Sequence, residues 1–252
     1  MHFSQAIVRR PAASCASGLT TAQLGAPDYE KTLSQFDAYC AALRDLGLKL
    51  AELPAQSEFP DSHFVEDTAV VMPELAVITR PGAPARRGET DTIAPALAAF
   101  RELRPLAAGN MDGGDVLMVD KRFFIGVSGR TDAAGIRAFT DIVAPHGYTV
   151  DAIEVAGGLH LKSVVNYIGN NVLLLNEALA DHEAFRDFER IVVDAEEEYA
   201  GNTLWINDTL ITPQGYPLTL KRLESLGLPL IQLDTSEFRK MDGGLTCLSL
   251  RF

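Results

Sequence analysis

Cys247 stands close to the end of the chain in Asp242-Gly243-Gly244-Leu245-Thr246-Cys247-Leu248-Ser249. A lone cysteine in an apolar strand is most often a packed thiol. A glycine pair just ahead of it changes that reading, because glycine lets the backbone approach a ligand closely and present the sulfur at a pocket. Thiolate chemistry then needs a proton donor and acceptor from elsewhere in the fold. His160 meets that need, since it follows a second pair, Gly157-Gly158, and precedes the apolar stretch that opens at Leu161. His2, His63, His146 and His182 sit in polar or helix-end surroundings where a solvated imidazole is expected. A third glycine pair lies in Asp112-Gly113-Gly114-Asp115, and a further acidic cluster in Asp61-Ser62-His63-Phe64-Val65-Glu66-Asp67. Taken singly, such acids are as readily solvated turn residues.

What must position these groups is a weak repeat. Five segments open an apolar strand pattern at intervals of roughly 40 to 50 residues, in the range of repeat architectures: Phe64-Val65-Glu66-Asp67, Gly114-Asp115-Val116-Leu117, His160-Leu161-Lys162-Ser163, Asn202-Thr203-Leu204-Trp205 and Thr246-Cys247-Leu248-Ser249. A second strand is expected after four of them, at 76–80, 123–127, 172–175 and 209–212. Helical patterns follow at 29–46, 90–103, 132–144, 177–190 and 217–226, with Gly47, Gly147 and Gly227 as stop signals. A third strand comes after most helices, at 49–53, 149–155 and 229–233. The fifth segment lacks a second strand, but Ala6-Ile7-Val8-Arg9-Arg10-Pro11 echoes Ala76-Val77-Ile78-Thr79-Arg80-Pro81, so the two ends of the chain are expected to pair. The expectation is one α/β domain over 1–252, a five-bladed pseudo-symmetric α/β propeller with strand-strand-helix-strand blades and its opening strands around one axis. An ordinary α/β sandwich is the alternative. Acids meeting Cys247 and His160 on that axis would be costly to bury without a cation, so the ligand is expected to be positively charged.

The bulk properties agree. A net charge of -12 over 252 residues argues against nucleic acid or an anionic membrane as partner. Cys15, Cys40 and Cys247 form neither a metal spacing nor an even disulfide set, which points to a reducing, cytoplasmic setting. Arg9 and Arg10 are followed by Pro11 and small residues rather than by the apolar core of a targeting peptide. No zinc spacing or phosphate-binding glycine loop is present, and no metal or cofactor is expected.

In these motifs the chain resembles the dimethylarginine dimethylaminohydrolases of the pentein, or guanidino-group-modifying, superfamily. The likeness spans nearly the whole chain and includes Gly18-Leu19-Thr20, Phe59-Pro60-Asp61-Ser62, Phe64-Val65-Glu66-Asp67, Thr79-Arg80-Pro81-Gly82-Ala83, Arg86-Arg87-Gly88-Glu89-Thr90, Asp112-Gly113-Gly114-Asp115-Val116-Leu117, Gly158-Leu159-His160-Leu161-Lys162-Ser163 and Asp242-Gly243-Gly244-Leu245-Thr246-Cys247.

The resemblance implies a hydrolase acting on Nω-methylated L-arginine through a covalent thiouronium, with Cys247 as nucleophile, His160 as acid/base and Asp112 orienting the imidazole. Some members carry glutamate at the position of Asp112. It further implies that Asp61 and Asp67 hold the guanidinium with Glu66 beside them in the pocket, that Arg86 and Arg130 grip the α-carboxylate, and that the backbone of Leu19, on a lid, meets the amino group. Phe64 is placed among the substrate contacts. Arginine and agmatine deiminases of the same superfamily carry aspartate two residues after the histidine; here that position is Lys162. An arginine deiminase-like hydrolase is the first alternative, and a non-catalytic propeller binding module the second. A homodimer is among the expected assemblies.

Overall fold

Strand β1 (Gln5–Arg9) lies between β15 (Leu250–Arg251), to which it runs antiparallel, and β2 (Lys49–Leu53), to which it runs parallel. The two ends of the chain therefore share one sheet, with Ala6 opposite Arg251 and Ile7 opposite Leu250. The computed structural model describes residues 2–155 and 158–252, so Gly157, half of one expected glycine pair, lies outside the described residues.

Among these residues four more three-stranded sheets repeat the same plan. They are β3 (Ala69–Val71), β4 (Leu75–Ile78) and β5 (Glu102–Pro105); β6 (Val116–Val119), β7 (Arg122–Val127) and β8 (Thr149–Glu154); β9 (Val165–Tyr167), β10 (Val172–Leu175) and β11 (Glu189–Val192); and β12 (Leu204–Ile206), β13 (Thr209–Pro213) and β14 (Leu230–Leu233). In each, a short first strand pairs antiparallel with a buried middle strand, which pairs parallel with the third. The result is the expected five-bladed α/β propeller, closed by the termini.

The pattern follows from the residues. Middle strands such as Val172-Leu173-Leu174-Leu175 are buried throughout, as continuous apolar runs demand. The hairpin into β13 turns on Asn207 and Asp208, both at positive φ, the backbone that a two-residue hairpin requires and that short polar side chains tolerate. The parallel step needs a crossover, supplied by α1 (Tyr29–Asp45), α2 (Thr90–Ala98), α3 (Ala133–Val143) and α4 (Pro217–Glu224). Asp28 and Asp132 cap the first and third of these helices by accepting from the amides of Lys31 and Gly135. Gly47, Gly147 and Gly227 follow α1, α3 and α4 at positive φ.

Two expectations fail locally. No helix fills 177–190; two 3-10 turns, Glu177–Leu179 and Glu183–Phe185, lead into β11 instead. Leu179 and Phe185 are both buried, yet six positions apart they would fall on different sides of one helix. The five motif segments also do not begin as strands. Four of them hold 3-10 turns, Val65–Thr68, Gly113–Asp115, Leu161–Ser163 and Thr246–Leu248, each feeding the inner strand of a blade. The fifth follows the 3-10 segment Ala195–Gly201.

Candidate active site

Those turns gather the chemistry at one end of the axis. Cys247 lies within the last of them, Asp67 within the first, and Asp112 and His160 stand immediately before the other two. Leu19, Asp61, Phe64, Asp67, Arg86, Arg130, His160 and Cys247 line one small cavity together with Leu159, Met241, Asp242 and Gly243. The repeat has thus brought together nearly every expected site residue from four separate blades.

The imidazole of His160 lies 3.0 Å from Asp112 Oδ2 through Nε2, and 3.9 Å from Asp67 Oδ1. Asp112 is fully buried, and its second oxygen accepts from the amide of Gly82 at 2.8 Å. The shorter aspartate therefore reaches the histidine. Such proximity needs Gly114, where a Cβ would come within 2.7 Å of both His160 Nδ1 and Asp67 Oδ1. Gly243 meets the same constraint beside Cys247, its position leaving room for the ring of Phe64 at a point a Cβ would occupy 2.1 Å away.

Burial opposes the charge on His160, but Asp67, the hydrogen bond it donates to Asp112 and the field of Asp115 outweigh it and raise its pKa to about 9. Burial also opposes ionisation of Asp67, and there His160 and Arg86 win, holding it at about 2. Cys247 has no such support. Burial first, then Glu66 and Asp67, push its thiol up to about 12. At neutral pH both shifts favour the protonated form, an imidazolium beside a neutral thiol.

Arg86 and Arg130 differ. Arg86 is buried and bonded to Asp67, to both oxygens of Glu89, and to the carbonyls of Phe64 and Asp61. Arg130 lines the cavity, and its buried Nη1 has no hydrogen-bond partner and lies 3.8 Å from Asp112. Asp61 accepts from the amide of Leu19 with both oxygens, at 3.1 Å each. With Leu19 in that position the cavity is only about 20 Å³, near the size of one water, so admitting an amino acid requires the Leu19 segment to lift.

Three expectations are corrected. Glu66 does not line this cavity. Its Oε1 accepts from Lys162 Nζ at 2.6 Å and Arg251 Nη2 at 3.2 Å, and it faces an axial cavity of about 150 Å³ on the other side of the Cys247 turn. Asp115 does not face the ligand either. Its Oδ1 accepts from the amide of Leu161, and its Oδ2 from the hydroxyls of Ser128 and Thr131. His63 is fully buried rather than solvated, stacked 4.0 Å from Phe64, with neither ring nitrogen bonded.

The residues unforeseen in the sequence are the ones that hold the frame. Ser128 Oγ accepts from the amide of Arg130, and Thr131 Oγ1 from the amide of Asp112. Asp115 thereby fixes the backbone at His160, Arg130 and Asp112 together. Asp242 joins the lid to the Cys247 turn by accepting from the amide and hydroxyl of Thr21. Asp115 and Asp242 both stand in glycine-pair motifs, but the sequence marks none of their partners, Ser128, Thr131 and Thr21, which lie far from them along the chain. Asp67, Asp112 and His160 bring one side-chain atom each within 4.8 Å of one another.

A cysteine, a carboxylate-held imidazole and a group of buried acids at the end of a five-bladed α/β propeller define a guanidino-modifying hydrolase of the pentein type. A model of the eukaryotic N,N-dimethylarginine dimethylhydrolase family matches residues 25–199. The N(G),N(G)-dimethylarginine dimethylaminohydrolase of Pseudomonas aeruginosa is 42% identical over 253 residues, covering 99% of this chain and 100% of that one. A crystal structure of that organism's enzyme, a cysteine-to-serine mutant complexed with citrulline, superposes with a TM-score of 0.98 at 41% identity over 100% of both chains. A dimethylarginine dimethylaminohydrolase adduct with S-methyl-L-thiocitrulline superposes with a TM-score of 0.97 at 41% identity, covering 99% and 100%. The chain belongs to the dimethylarginine dimethylaminohydrolase family.

Proposed function

We propose that this chain hydrolyses Nω-methylated L-arginine to L-citrulline and methylamine or dimethylamine. The observation that carries the reading is the imidazole of His160 held between Asp112 and Asp67 in the same cavity as Cys247. Arg130, with its unpartnered Nη1, takes the α-carboxylate. Arg86 lines the same cavity, but its main work is to hold Asp67 ionised. Asp61, expected at the guanidinium, is bonded to the lid backbone instead, and we assign it to the α-amino end beside Leu19. Asp67 receives the guanidinium.

The reaction balances as two half-steps. As the substrate cation binds, the Cys247 thiol loses its proton and the sulfur attacks the guanidinium carbon. His160 passes its proton to the departing nitrogen, the carbon–nitrogen bond breaks, and a thiouronium remains on sulfur. The neutral imidazole then takes a proton from water as the oxygen attacks. The carbon–sulfur bond breaks, the new hydroxyl proton returns to sulfur, and citrulline leaves. The proton lost at the start accompanies the amine.

Lys162 is turned onto Glu66 and supplies no carboxylate to the cavity, which favours methylated over plain arginine and separates this chain from a deiminase. The three free cysteines support the reducing setting read from the sequence, and no helix among the described residues is long and apolar enough to cross a membrane. Product analysis tests the reading. Asymmetric dimethylarginine should yield citrulline and dimethylamine in equal amounts with the wild type and neither with Cys247→Ser. Ammonia from plain arginine, with no dimethylamine from the methylated substrate, would overturn it.

A further inference from the structure

Cys247 is a wall shared by two cavities. Besides the small one holding His160 and Arg130, it borders an open groove of about 680 Å³ that includes none of Asp61, Asp67, Arg86, Arg130 or His160. The two meet only along Leu159, Asp242, Gly243 and Cys247.

We propose that this groove is the subsite for the ω-substituent of the guanidine and the exit of the departing amine, so that the chain turns over Nω-substituents well beyond methyl. The proposal rests on the function argued above. With the amino-acid end in the small cavity beside Arg130 and Asp61 and the guanidinium carbon under attack by the sulfur, the groove that opens on the other side of Cys247 is the space next to the reacting carbon.

The lining suits an alkylammonium. Leu24, Leu159 and Val164 give it an apolar part, and Leu24, 49% exposed, is one of three exposed large hydrophobics among the described residues. Two of those three, Leu19 and Leu24, are on the lid, one bordering each cavity. Glu196, Glu198 and Asp242 face a single cation, Arg239, whose guanidinium carbon lies 5.2 Å from the centre of the Tyr199 ring. An amine leaving as the carbon–nitrogen bond breaks, with its proton from His160, takes up a further proton in water and is drawn into an acidic groove. A dimethylamino group has three heavy atoms and fills a small part of the space, since even one water occupies about 30 Å³.

The test compares Nω-methyl-, Nω-propyl- and Nω-benzyl-L-arginine on the wild type and on Ala195→Trp, which fills the groove from an exposed position outside the catalytic machinery. Glu196→Trp serves as a second filling variant at the neighbouring position. Expected is turnover of all three substrates by the wild type, with each tryptophan lowering kcat/KM for the benzyl substrate at least about tenfold more than for the methyl one, the scale of a lost hydrocarbon contact in a specificity pocket. Turnover of the methyl substrate alone, or equal effects on all three, would overturn the subsite while leaving the proposed function standing. No turnover even of the methyl substrate would instead fall on that function and take the subsite with it.

Discussion

Asp115 Oδ1 and the amide of Leu161 meet at 2.9 Å, so the backbone immediately after His160 hangs from a carboxylate in the neighbouring blade. The same carboxylate receives the hydroxyls flanking Arg130 and contributes to the raised pKa of His160. Asp115→Asn keeps most of the shape and removes the charge. The His160 pKa, about 9 in the wild type, falls, and the basic limb of the kcat/KM profile moves to lower pH. A variant with reduced activity but an unmoved limb would make Asp115 a purely structural support.

The thiol of Cys247, pushed up to about 12, should titrate lower when a cation occupies the site. The thiolate absorbance of wild type minus Cys247→Ser, followed against pH, isolates this group from Cys15 and Cys40. Saturating L-lysine should lower the apparent pKa and neutral L-norleucine should not. Equal curves with both ligands would refute activation by the bound cation.

Gly114→Ala places a methyl where His160 and Asp67 now stand, 2.7 Å from each. Both groups must shift, and a displacement of that size costs kcat on the order of 100-fold. Steady-state kinetics with circular dichroism to verify folding would check it; unchanged kcat would mean the imidazole has more freedom than its packing allows.

His63 is buried with neither ring nitrogen bonded, and its pKa is lowered to about 3, by burial first and then by Arg86. The unfolded chain therefore binds a proton that the folded one refuses between the ordinary histidine value and about 3, and this group costs stability progressively as pH falls through that window. His63→Phe has no such loss. Its unfolding free energy relative to wild type should rise as pH drops from 7 to 4 by roughly 1.4 kcal/mol for each unit of pH below the ordinary histidine pKa. A constant difference in urea unfolding would show that His63 finds a partner.

Much of this was readable from the chain because the repeat carries it. Once Asp112 and His160 stand just before the inner turns of neighbouring blades and Cys247 within the corresponding turn of a third, closing the ring brings them to one end of the axis, and the echo of 6–11 in 76–81 supplies the closure. The errors lie within the 3-10 turns that the sequence reads as strand starts. In such a turn successive side chains are about 120° apart, so Asp67 enters the pocket while Glu66 turns to Lys162 and Arg251. No alternation of apolar and polar residues records that choice. His63 was missed for a similar reason: its polar neighbours in sequence are not its neighbours in space, which are Phe64 and Phe238.

The central claim is a carbon–sulfur bond between the substrate and Cys247 that only His160 lets water break. S-methyl-L-thiocitrulline tests it directly in His160→Gly, because methanethiol can depart without a proton from the imidazole while hydrolysis of the adduct stalls. Intact-mass and peptide analysis should find the protein heavier by the reagent less methanethiol, with the added group on the Cys247 peptide. An unmodified protein, or the group on Cys15 or Cys40, would contradict the claim.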